Sequence, residues 1–166
     1  WIKLRNILEA DLTNNVNLIP VNWPPSITFG MLITFSTCLM IVGFDIGSYF
    51  IGKKYGKRSL SSISPGKTIE GLIGGISCSI LTGIIFATIF NWDNSILIGI
   101  SFGILVSLMG LVGDLIESMM KRDAKLKDSG NLLPGHGGIL DRIDSYIFTP
   151  SLIYYTILII DSFRIF

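Results

Sequence analysis

The sequence predicts an all-α fold, a polytopic transmembrane bundle with about four spanning helices and functional cytoplasmic loops. Of the 166 residues, 49% are hydrophobic and only 15% are charged, and the mean hydropathy is +0.62. These values lie outside the usual range of soluble domains. Several apolar segments are long enough to cross the roughly 30 Å of hydrocarbon in a bilayer, and the lysines and arginines are concentrated between alternate segments.

Residues 1–25 are predicted to form a polar, interfacial lead-in. They mix charged residues with asparagines and end in Trp23-Pro24-Pro25, and tryptophan is typical of the membrane interface. Residues 26–166 are predicted to form one transmembrane region that carries the chemistry. Because the chain opens on Trp1 without a signal-type segment, we expect it to be N-terminally incomplete.

Four apolar segments are predicted to span the membrane. The first, 26–44, contains no charged residue, and the second, 71–92, is rich in glycine, which permits helices to approach closely. The third covers 95–113. The fourth, 145–160, is shorter and contains Pro150, which a membrane helix tolerates and which usually kinks it.

The positions of the cations predict the orientation of these segments. Five of the thirteen lysines and arginines lie between the first and second segments, five lie between the third and fourth, and none lies between the second and third. Since cytoplasmic loops carry the excess of positive charge, both basic loops should be cytoplasmic. The two polar segments of the chain then meet on the side of the membrane where nucleotides are found.

The first basic loop has the composition of a phosphate site. Ser64 and Pro65 predict a helix N-cap and first helical position, which would place Lys67 and Thr68 in the first turn. Free backbone N–H groups, a hydroxyl and an ammonium group would suit a phosphate there. The loop is not a Walker P-loop, because position 61 is serine where that pattern requires glycine.

Acidic residues near the third and fourth segments predict a metal site. Asp141 and Asp144 are three residues apart, so in a helix they share one face, and Asp114 at the end of the third segment could join them. Carboxylate oxygens describe a Mg²⁺ site better than a zinc site. Alternatively, these carboxylates only form ion pairs with the nearby cations, which are Lys121, Arg122 and Arg142.

Two further acidic residues leave alternatives open. Asp45, at the end of the first apolar segment, is either a carboxylate at the membrane interface or part of the site. Glu117 could pair with Lys121 at a spacing of four residues, whereas Asp114 has no obvious local cation.

The lysines and arginines of the second basic loop, between the third and fourth segments, either anchor that loop at the membrane or bind an anion. The glycine-rich stretch 135–138 favours anion binding, because glycines let backbone N–H groups close around a ligand.

One long segment resembles the diagnostic motif of the phosphatidate cytidylyltransferases, also called CDP-diacylglycerol synthases. It consists of Ser118-x-Met120-Lys121-Arg122-x4-Lys127-Asp128-x-Gly130-x2-Leu133-Pro134-x-His136-Gly137-Gly138-Ile139-x-Asp141-Arg142-Ile143-Asp144. Earlier blocks of that family are similar to Asp45-x-Gly47-x-Tyr49-Phe50-x-Gly52, Ser64-Pro65-Gly66-Lys67-Thr68-x-Glu70-Gly71 and Gly113-Asp114. The likeness runs from about Asp45 to the end of the chain and suggests an N-terminally truncated member.

The resemblance implies an activity and its partners. Members of the family transfer CMP from CTP to phosphatidate, which gives CDP-diacylglycerol and pyrophosphate for phospholipid biosynthesis. It implies a multi-pass membrane enzyme, a nucleotidyltransferase that uses Mg²⁺ and allows K⁺ as a second cation, with an active site facing the cytoplasm. It also implies a homodimer and lipid as a partner, and no nucleic acid.

The resemblance also implies roles for individual residues. The metal carboxylates are Asp114, Asp141 and Asp144. The other catalytic residues are Lys121, Arg122 and His136. Because a phosphate monoester is already largely ionised near neutral pH, we expect His136 to donate a hydrogen bond to phosphate or to organise the loop rather than to act as the base; alternatively, it is purely structural. The substrate-binding residues are Asp45, Ser64, Lys67, Thr68, Lys127, Asp128, Gly137, Gly138 and Arg142.

Three other functions compete with this interpretation. A CDP-alcohol phosphotransferase is disfavoured, because its Asp-Gly-x2-Ala-Arg motif has no counterpart here. A CTP-dependent lipid kinase would need similar chemistry and differs in whether the product retains cytidine. An anion transporter would use the same cations and broken helices without a reaction.

Overall fold

A computed structural model describes residues 1–5, 29–61, 64, 66–90, 94–126, 129–130 and 140–162. For residues 29, 140–142 and 160–162 the description covers the backbone alone. Within these ranges the regular structure is helical and no strand is present. The helices are α1 (Ile2–Arg5), α2 (Phe29–Tyr55), α3 (Ile69–Ile89), α4 (Ser95–Asp123) and α5 (Leu140–Ser162). The predicted all-α fold class is confirmed.

The four long helices pack in chain order, with α2 against α3, α3 against α4 and α4 against α5. The carboxyl ends of α2 and α4 therefore lie at the same end of the bundle as the amino ends of α3 and α5. The short helix α1 packs against α2 and α5. The apolar core lies between α1, α2, α4 and α5, and its buried members are Leu4, Ile33, Met40, Ile41, Ile98, Phe102, Val106, Ile153 and Ile157.

The long helices have the dimensions of membrane spans. By length and composition, three stretches are apolar and long enough to cross a bilayer: Gly30–Tyr55, Ile69–Ile89 and Ser95–Asp123. The apolar stretch of α5, Ile143–Ile159, is shorter, although the whole helix of 23 residues is about 34 Å long at the standard rise per residue. The structure thus agrees with the prediction of three long spans and a shorter fourth.

Helix α2 ends later than the sequence predicts. It continues through Asp45 to Tyr55, so Lys53 and Lys54 belong to its last turn rather than to the basic loop. The extension packs on α3, because a Cβ atom on Gly47 would lie 2.7 Å from the Cys78 Sγ atom. Lysines in a last turn also interact favourably with the helix dipole. Tertiary packing and this charge placement together prolong the helix.

The predicted start of α3 is wrong. Thr68, not Ser64, is the N-cap, and its Oγ1 atom accepts a hydrogen bond from the Gly71 N–H at 3.1 Å. Lys67 therefore precedes the helix instead of lying in its first turn. The reason is a contact between the two arms of the loop, since Ser59 and Thr68 form an isolated antiparallel bridge that keeps the chain extended up to the cap.

Glycines allow α3 and α4 to touch along their backbones. A Cβ atom on Gly99 would lie 2.5 Å from the Cα atom of Ile84, and one on Gly103 would lie 2.6 Å from the Cα atom of Ile80. The Ser79 hydroxyl crosses the same contact and donates to the Gly103 carbonyl at 3.1 Å. Glycines of α3 itself also lie at close contacts, since a Cβ atom on Gly83 would lie 2.5 Å from the Gly99 carbonyl oxygen and one on Gly75 would lie 2.8 Å from the Phe44 carbonyl oxygen. The prediction that the glycines of the second span permit close packing is therefore confirmed.

Helix α5 contains Pro150 in its interior. Proline has no N–H, so the carbonyl of Tyr146, four residues earlier, lacks its usual helical donor. The indole Nε1 of Trp1 donates to that carbonyl at 3.0 Å, and the two aromatic rings lie 6.1 Å apart. This contact joins α1 to α5.

The glycine contact between α3 and α4 predicts a selective effect of alanine substitution. Gly99→Ala should lower the stability of the protein by about 1–3 kcal/mol, because the new methyl group would overlap backbone atoms of α3. The matched control is Gly110→Ala in the same helix, whose Cβ atom would find its nearest neighbour at 3.6 Å. The control should unfold at an unchanged or slightly higher temperature, because alanine is the better helix former. Thermal unfolding in detergent measures both, and equal melting temperatures would contradict this explanation.

Candidate active site

Three carboxylates from two helices converge at the end of the bundle. Asp114 and Glu117 lie on α4 and Asp144 lies on α5, and one carboxylate oxygen from each of the three lies within 4.8 Å of the other two. We call these three residues the carboxylate cluster. Glu117 is 4% exposed and Asp144 is 9% exposed. Residues three apart share a helix face, so Asp114 and Glu117 both point at α5.

Gly113 brings α4 and α5 together at this point. A Cβ atom on Gly113 would lie 3.1 Å from the carbonyl carbon of Asp144 and closer still to its oxygen. Only glycine allows this backbone approach, which places Asp114 beside Asp144. On α5, one carboxylate oxygen of Asp144 accepts hydrogen bonds from the Ser145 N–H at 2.6 Å and from the Ser145 hydroxyl at 3.3 Å.

Two lysines provide positive charge to the cluster. The Lys67 ammonium contacts the Asp114 carboxylate, and the Lys121 ammonium lies 3.0 Å from the Glu117 carboxylate. The predicted pairing of Glu117 with Lys121 is confirmed. The partner of Asp114 comes from the loop between α2 and α3, so no local spacing in the sequence could indicate it.

The loop that carries Lys67 is held on the amino end of α3. The Glu70 carboxylate accepts hydrogen bonds from the Lys57 N–H at 3.0 Å and from the Arg58 N–H at 3.3 Å. The Leu60 N–H donates to the Lys67 carbonyl at 2.7 Å, which folds the two arms of the loop together. Glu70 therefore helps to position the loop, a role that the sequence did not reveal.

Lys67 lies in a strongly charged environment. Burial lowers the pKa of its ammonium group below the ordinary value, and the negative charges of Asp144 and Asp45 oppose this effect. Its side chain is 30% exposed and that of Asp114 is 24% exposed. The surrounding carboxylates thus offset part of the effect of burial on the pKa of Lys67.

A cavity of about 340 Å³ opens beside the cluster, between α2, α3, α4 and the loop. Its polar wall includes Asp45, Lys53, Lys67, Thr68 and Asp114. Its apolar wall includes Phe44, Leu60, Leu72 and Leu111. Such a cavity can accept a ligand that has both a charged and an apolar part.

Several predicted site residues occupy less central positions. Arg122 is exposed in the last turn of α4. The Ser64 carbonyl accepts a hydrogen bond from the Lys67 N–H at 3.2 Å, and within the described part of the chain Ser64 is not on the cavity wall. The Thr68 hydroxyl is on that wall but caps α3. Asp45 lies on the wall as well, and its role in substrate binding remains a prediction.

The remaining predicted residues lie outside the described structure. Lys127, Asp128, His136, Gly137 and Gly138 are outside the described ranges. Asp141 and Arg142 are in α5, but the description of these two residues does not include their side chains. Their assigned roles remain predictions. Glu117 is the addition that the structure makes to the acidic set, and its signal in the sequence was the spacing of three residues from Asp114.

The charges of the site suit a divalent cation. Among the described residues, the cluster and Asp45 supply four carboxylates, while Lys67 and Lys121 supply two ammonium groups. When all are ionised, two negative charges remain uncompensated. The donors are carboxylate oxygens, which Mg²⁺ prefers to nitrogen or sulfur ligands. The residues present therefore fit a Mg²⁺ ion.

Comparison with known proteins identifies relatives of this chain. Residues 15–160 match the sequence model of a family described as the cytidylyltransferase family. A protein of Synechocystis sp. named phosphatidate cytidylyltransferase is 44% identical over an alignment of 169 positions, gaps included, which covers 96% of this chain and 57% of the relative.

Two further relatives carry related names. Phosphatidate cytidylyltransferase 4, chloroplastic, of Arabidopsis thaliana is 42% identical over 93% of this chain and 40% of its own length. Phosphatidate cytidylyltransferase of Bacillus subtilis is 42% identical over 76% of this chain and 48% of its own length. The chain thus spans about half the length of the curated relatives it matches.

The contacts of Glu70 predict a local effect on the loop. Glu70→Ala should speed hydrogen–deuterium exchange at the Lys57 and Arg58 amides, because both lose their acceptor. Glu70→Gln keeps an acceptor oxygen and should retain part of the protection. The Gly56 amide, which donates to the Gly52 carbonyl at 2.9 Å, serves as the internal reference. Unchanged exchange at Lys57 and Arg58 in Glu70→Ala would show that Glu70 does not hold the loop.

Proposed function

The chain belongs to the cytidylyltransferase family, and on this premise we propose that it transfers CMP from CTP to phosphatidate, giving CDP-diacylglycerol and pyrophosphate. The convergence of Asp114, Glu117 and Asp144 beside two lysines and an amphipathic cavity is the observation that carries the proposal. Nucleotidyl transfer requires reactants to be positioned and phosphate charge to be neutralised, and this arrangement can supply both.

In the proposed reaction, an oxygen of the phosphatidate phosphate attacks the α-phosphorus of CTP. The new bond joins that oxygen to the α-phosphorus, and the bond between the α-phosphorus and the bridging oxygen to the β-phosphorus breaks, so pyrophosphate leaves. A phosphate monoester is already largely ionised near neutral pH, so the nucleophile needs no strong base. This fits a site whose described groups are carboxylates and lysines and in which His136 is assigned to phosphate binding.

The chain's own residues supply binding and orientation. Lys67, on the cavity wall, and Lys121, beside the carboxylate cluster, would contact phosphate oxygens. The apolar wall of the cavity would contact the acyl chains of the lipid. Asp114, Glu117 and Asp144, joined by Asp141 in the proposed ligand set, would hold Mg²⁺. That ion, when bound, neutralises the charge that develops on the leaving pyrophosphate.

The remaining assignments belong to the same proposal. Arg122, Lys127 and Arg142 would clamp the anionic substrates, and Asp128, Gly137 and Gly138 would complete the nucleotide site. The basic ends of α2 and α4 support a cytoplasmic position of the site, because cytoplasmic loops carry the excess of lysine and arginine. The family resemblance adds K⁺ as a second cation and a homodimer as the assembly.

The proposed reaction predicts where radioactive label goes. With phosphatidate, Mg²⁺ and CTP labelled at the α-phosphate, the protein in detergent should place label in the lipid phase, and EDTA should abolish this transfer. Asp144→Asn should lower the rate at least about 100-fold, because it removes one of the carboxylates that would hold Mg²⁺. Without the ion, the negative charge of the reacting phosphates would not be neutralised. The control Asp123→Asn alters an exposed carboxylate at the end of α4 and should leave the rate unchanged.

Other labelling patterns would contradict the proposal. Lipid labelled only from the γ-phosphate would identify a kinase. No label from either position, with protein that is shown to be folded, would favour an anion transporter.

The geometry of the cluster predicts a second kinetic effect. Glu117→Gln should raise the Mg²⁺ concentration needed for half-maximal rate by about tenfold or more, because it removes a carboxylate from the proposed ligand set. If Glu117 acted only by anchoring Lys121, then Lys121→Met would raise the Mg²⁺ requirement equally. We expect Lys121→Met to lower the maximal rate without raising the Mg²⁺ requirement, because it removes a positive charge from beside the cluster. Rates measured over a Mg²⁺ series at saturating substrates separate the two effects.

A further inference from the structure

Lys67 differs from the other cations of the site in how it reaches a carboxylate. Lys121 pairs with Glu117 on the same helix, whereas Lys67 enters from the loop before α3 and contacts Asp114 on α4. Its charge also interacts with Asp144 and Asp45. The Lys67 ammonium is therefore placed among several carboxylates, close to where the donor set would hold a metal ion.

The backbone of Lys67 is fixed on both sides. Its N–H donates to the Ser64 carbonyl at 3.2 Å, and its carbonyl accepts from the Leu60 N–H at 2.7 Å. The next residue, Thr68, pairs with Ser59 and caps α3. The ammonium can therefore leave Asp114 by rotation of the flexible side chain, and the loop does not have to open.

The cavity gives a displaced ammonium a place to go. Lys67 and Asp114 are both on the wall of the cavity of about 340 Å³, together with Lys53. Because the backbone of Lys67 stays in place, the side chain remains within reach of this cavity after it leaves the carboxylate. There it would face an anionic phosphate group.

We propose that Lys67 is the built-in counter-ion of the carboxylate cluster, which a divalent cation displaces from Asp114 and which then binds the phosphate of a substrate in the cavity. This inference rests on the proposed function for the presence of a metal site. In the absence of a phosphate ligand, the positive charge of Lys67 therefore weakens the binding of a metal ion to the cluster. Metal binding and phosphate binding then strengthen each other, because a coupling free energy between two ligands is reciprocal.

The first test measures the affinity for Mn²⁺ alone, without nucleotide or lipid. Purified protein in detergent is titrated with Mn²⁺, and the signal of free Mn²⁺ is followed by electron paramagnetic resonance. Lys67→Gln should bind Mn²⁺ roughly three- to tenfold more tightly than the wild type, because the competing charge is gone, an effect the size of one partly buried ion pair. Lys67→Arg keeps the charge and should bind Mn²⁺ like the wild type.

The matched control is Lys53→Gln. Lys53 is on the same cavity wall, but its ammonium lies 3.4 Å from the Tyr49 hydroxyl and 5.5 Å from the centre of that ring. Removing this charge should leave Mn²⁺ affinity unchanged. Equal or weaker Mn²⁺ binding by Lys67→Gln would overturn the proposal, and so would an absence of Mn²⁺ binding in every variant.

A second measurement follows the lysine itself in the wild-type protein. Brief acetylation with an amine reagent, followed by mass spectrometry, reports the reactivity of Lys67 relative to Lys53. Mg²⁺ should increase labelling of Lys67, because the ammonium leaves its carboxylate partner, and should leave Lys53 unchanged. Labelling of Lys67 that stays constant or falls would contradict the displacement.

These readouts separate the inference from the proposed reaction. Neither depends on cytidylyl transfer. Tighter Mn²⁺ binding by Lys67→Gln in a protein that transfers no label would support the inference and refute the proposed function. Transfer of label by the wild type, together with an unchanged Mn²⁺ affinity in Lys67→Gln, would support the proposed function and overturn the inference.

Discussion

The mutual repulsion of three carboxylates is the constraint on which the site depends. One oxygen from each carboxylate lies within 4.8 Å of the others, and two unit charges at that upper limit repel each other by roughly 3.5 kcal/mol at an effective dielectric constant of 20. Without compensation, this repulsion would push α5 away from α4. The structure opposes it with the ammonium groups of Lys67 and Lys121 and with a backbone contact at Gly113 that leaves no room for a side chain. Charge compensation and helix packing therefore act on the same pair of helices.

The glycine contacts explain how a bundle with little polar structure can hold such a site rigidly. Lipid is as apolar as a helix surface, so membrane helices associate through close packing rather than through the hydrophobic effect. Gly47 on α2 and Gly99 on α4 let these helices contact α3 closely. The positions of α2 and α4 relative to α3 also define the cavity, since all three helices line it. The packing that forms the bundle thus also shapes the place where a ligand would bind.

Much of the fold follows from local features of the sequence. Apolar segments of sufficient length predicted each long helix, and helical spacing predicted the pair of Glu117 and Lys121. The meeting of Asp114 and Asp144 followed from the expectation that consecutive spans are neighbours. The end of α2 and the cap of α3 were missed, because they depend on contacts with Cys78 and Ser59 that no helical spacing in the sequence indicates.

The same limit applies to the site. The contact between Lys67 and Asp114 joins two segments that no periodicity connects, so it could emerge only from the packed structure. Glu117 was visible as an acidic residue at the right spacing. Its place in the cluster became evident only when Gly113 fixed the distance between α4 and α5.

Pro150 connects the first residues of the chain to the site, because it leaves the Tyr146 carbonyl available to Trp1. Inside a membrane a backbone carbonyl without a donor is unfavourable, and the proline creates one at Tyr146. The indole of Trp1 satisfies it, so the missing N–H acts as an attachment point that specifies where α1 docks. Tyr146 lies only two residues after Asp144, within the same helical turn. Residues 1–5 contribute no carboxylate to the cluster, but Trp1 supports the helical turn that carries Asp144. The position of Asp144 therefore depends in part on the docking of α1.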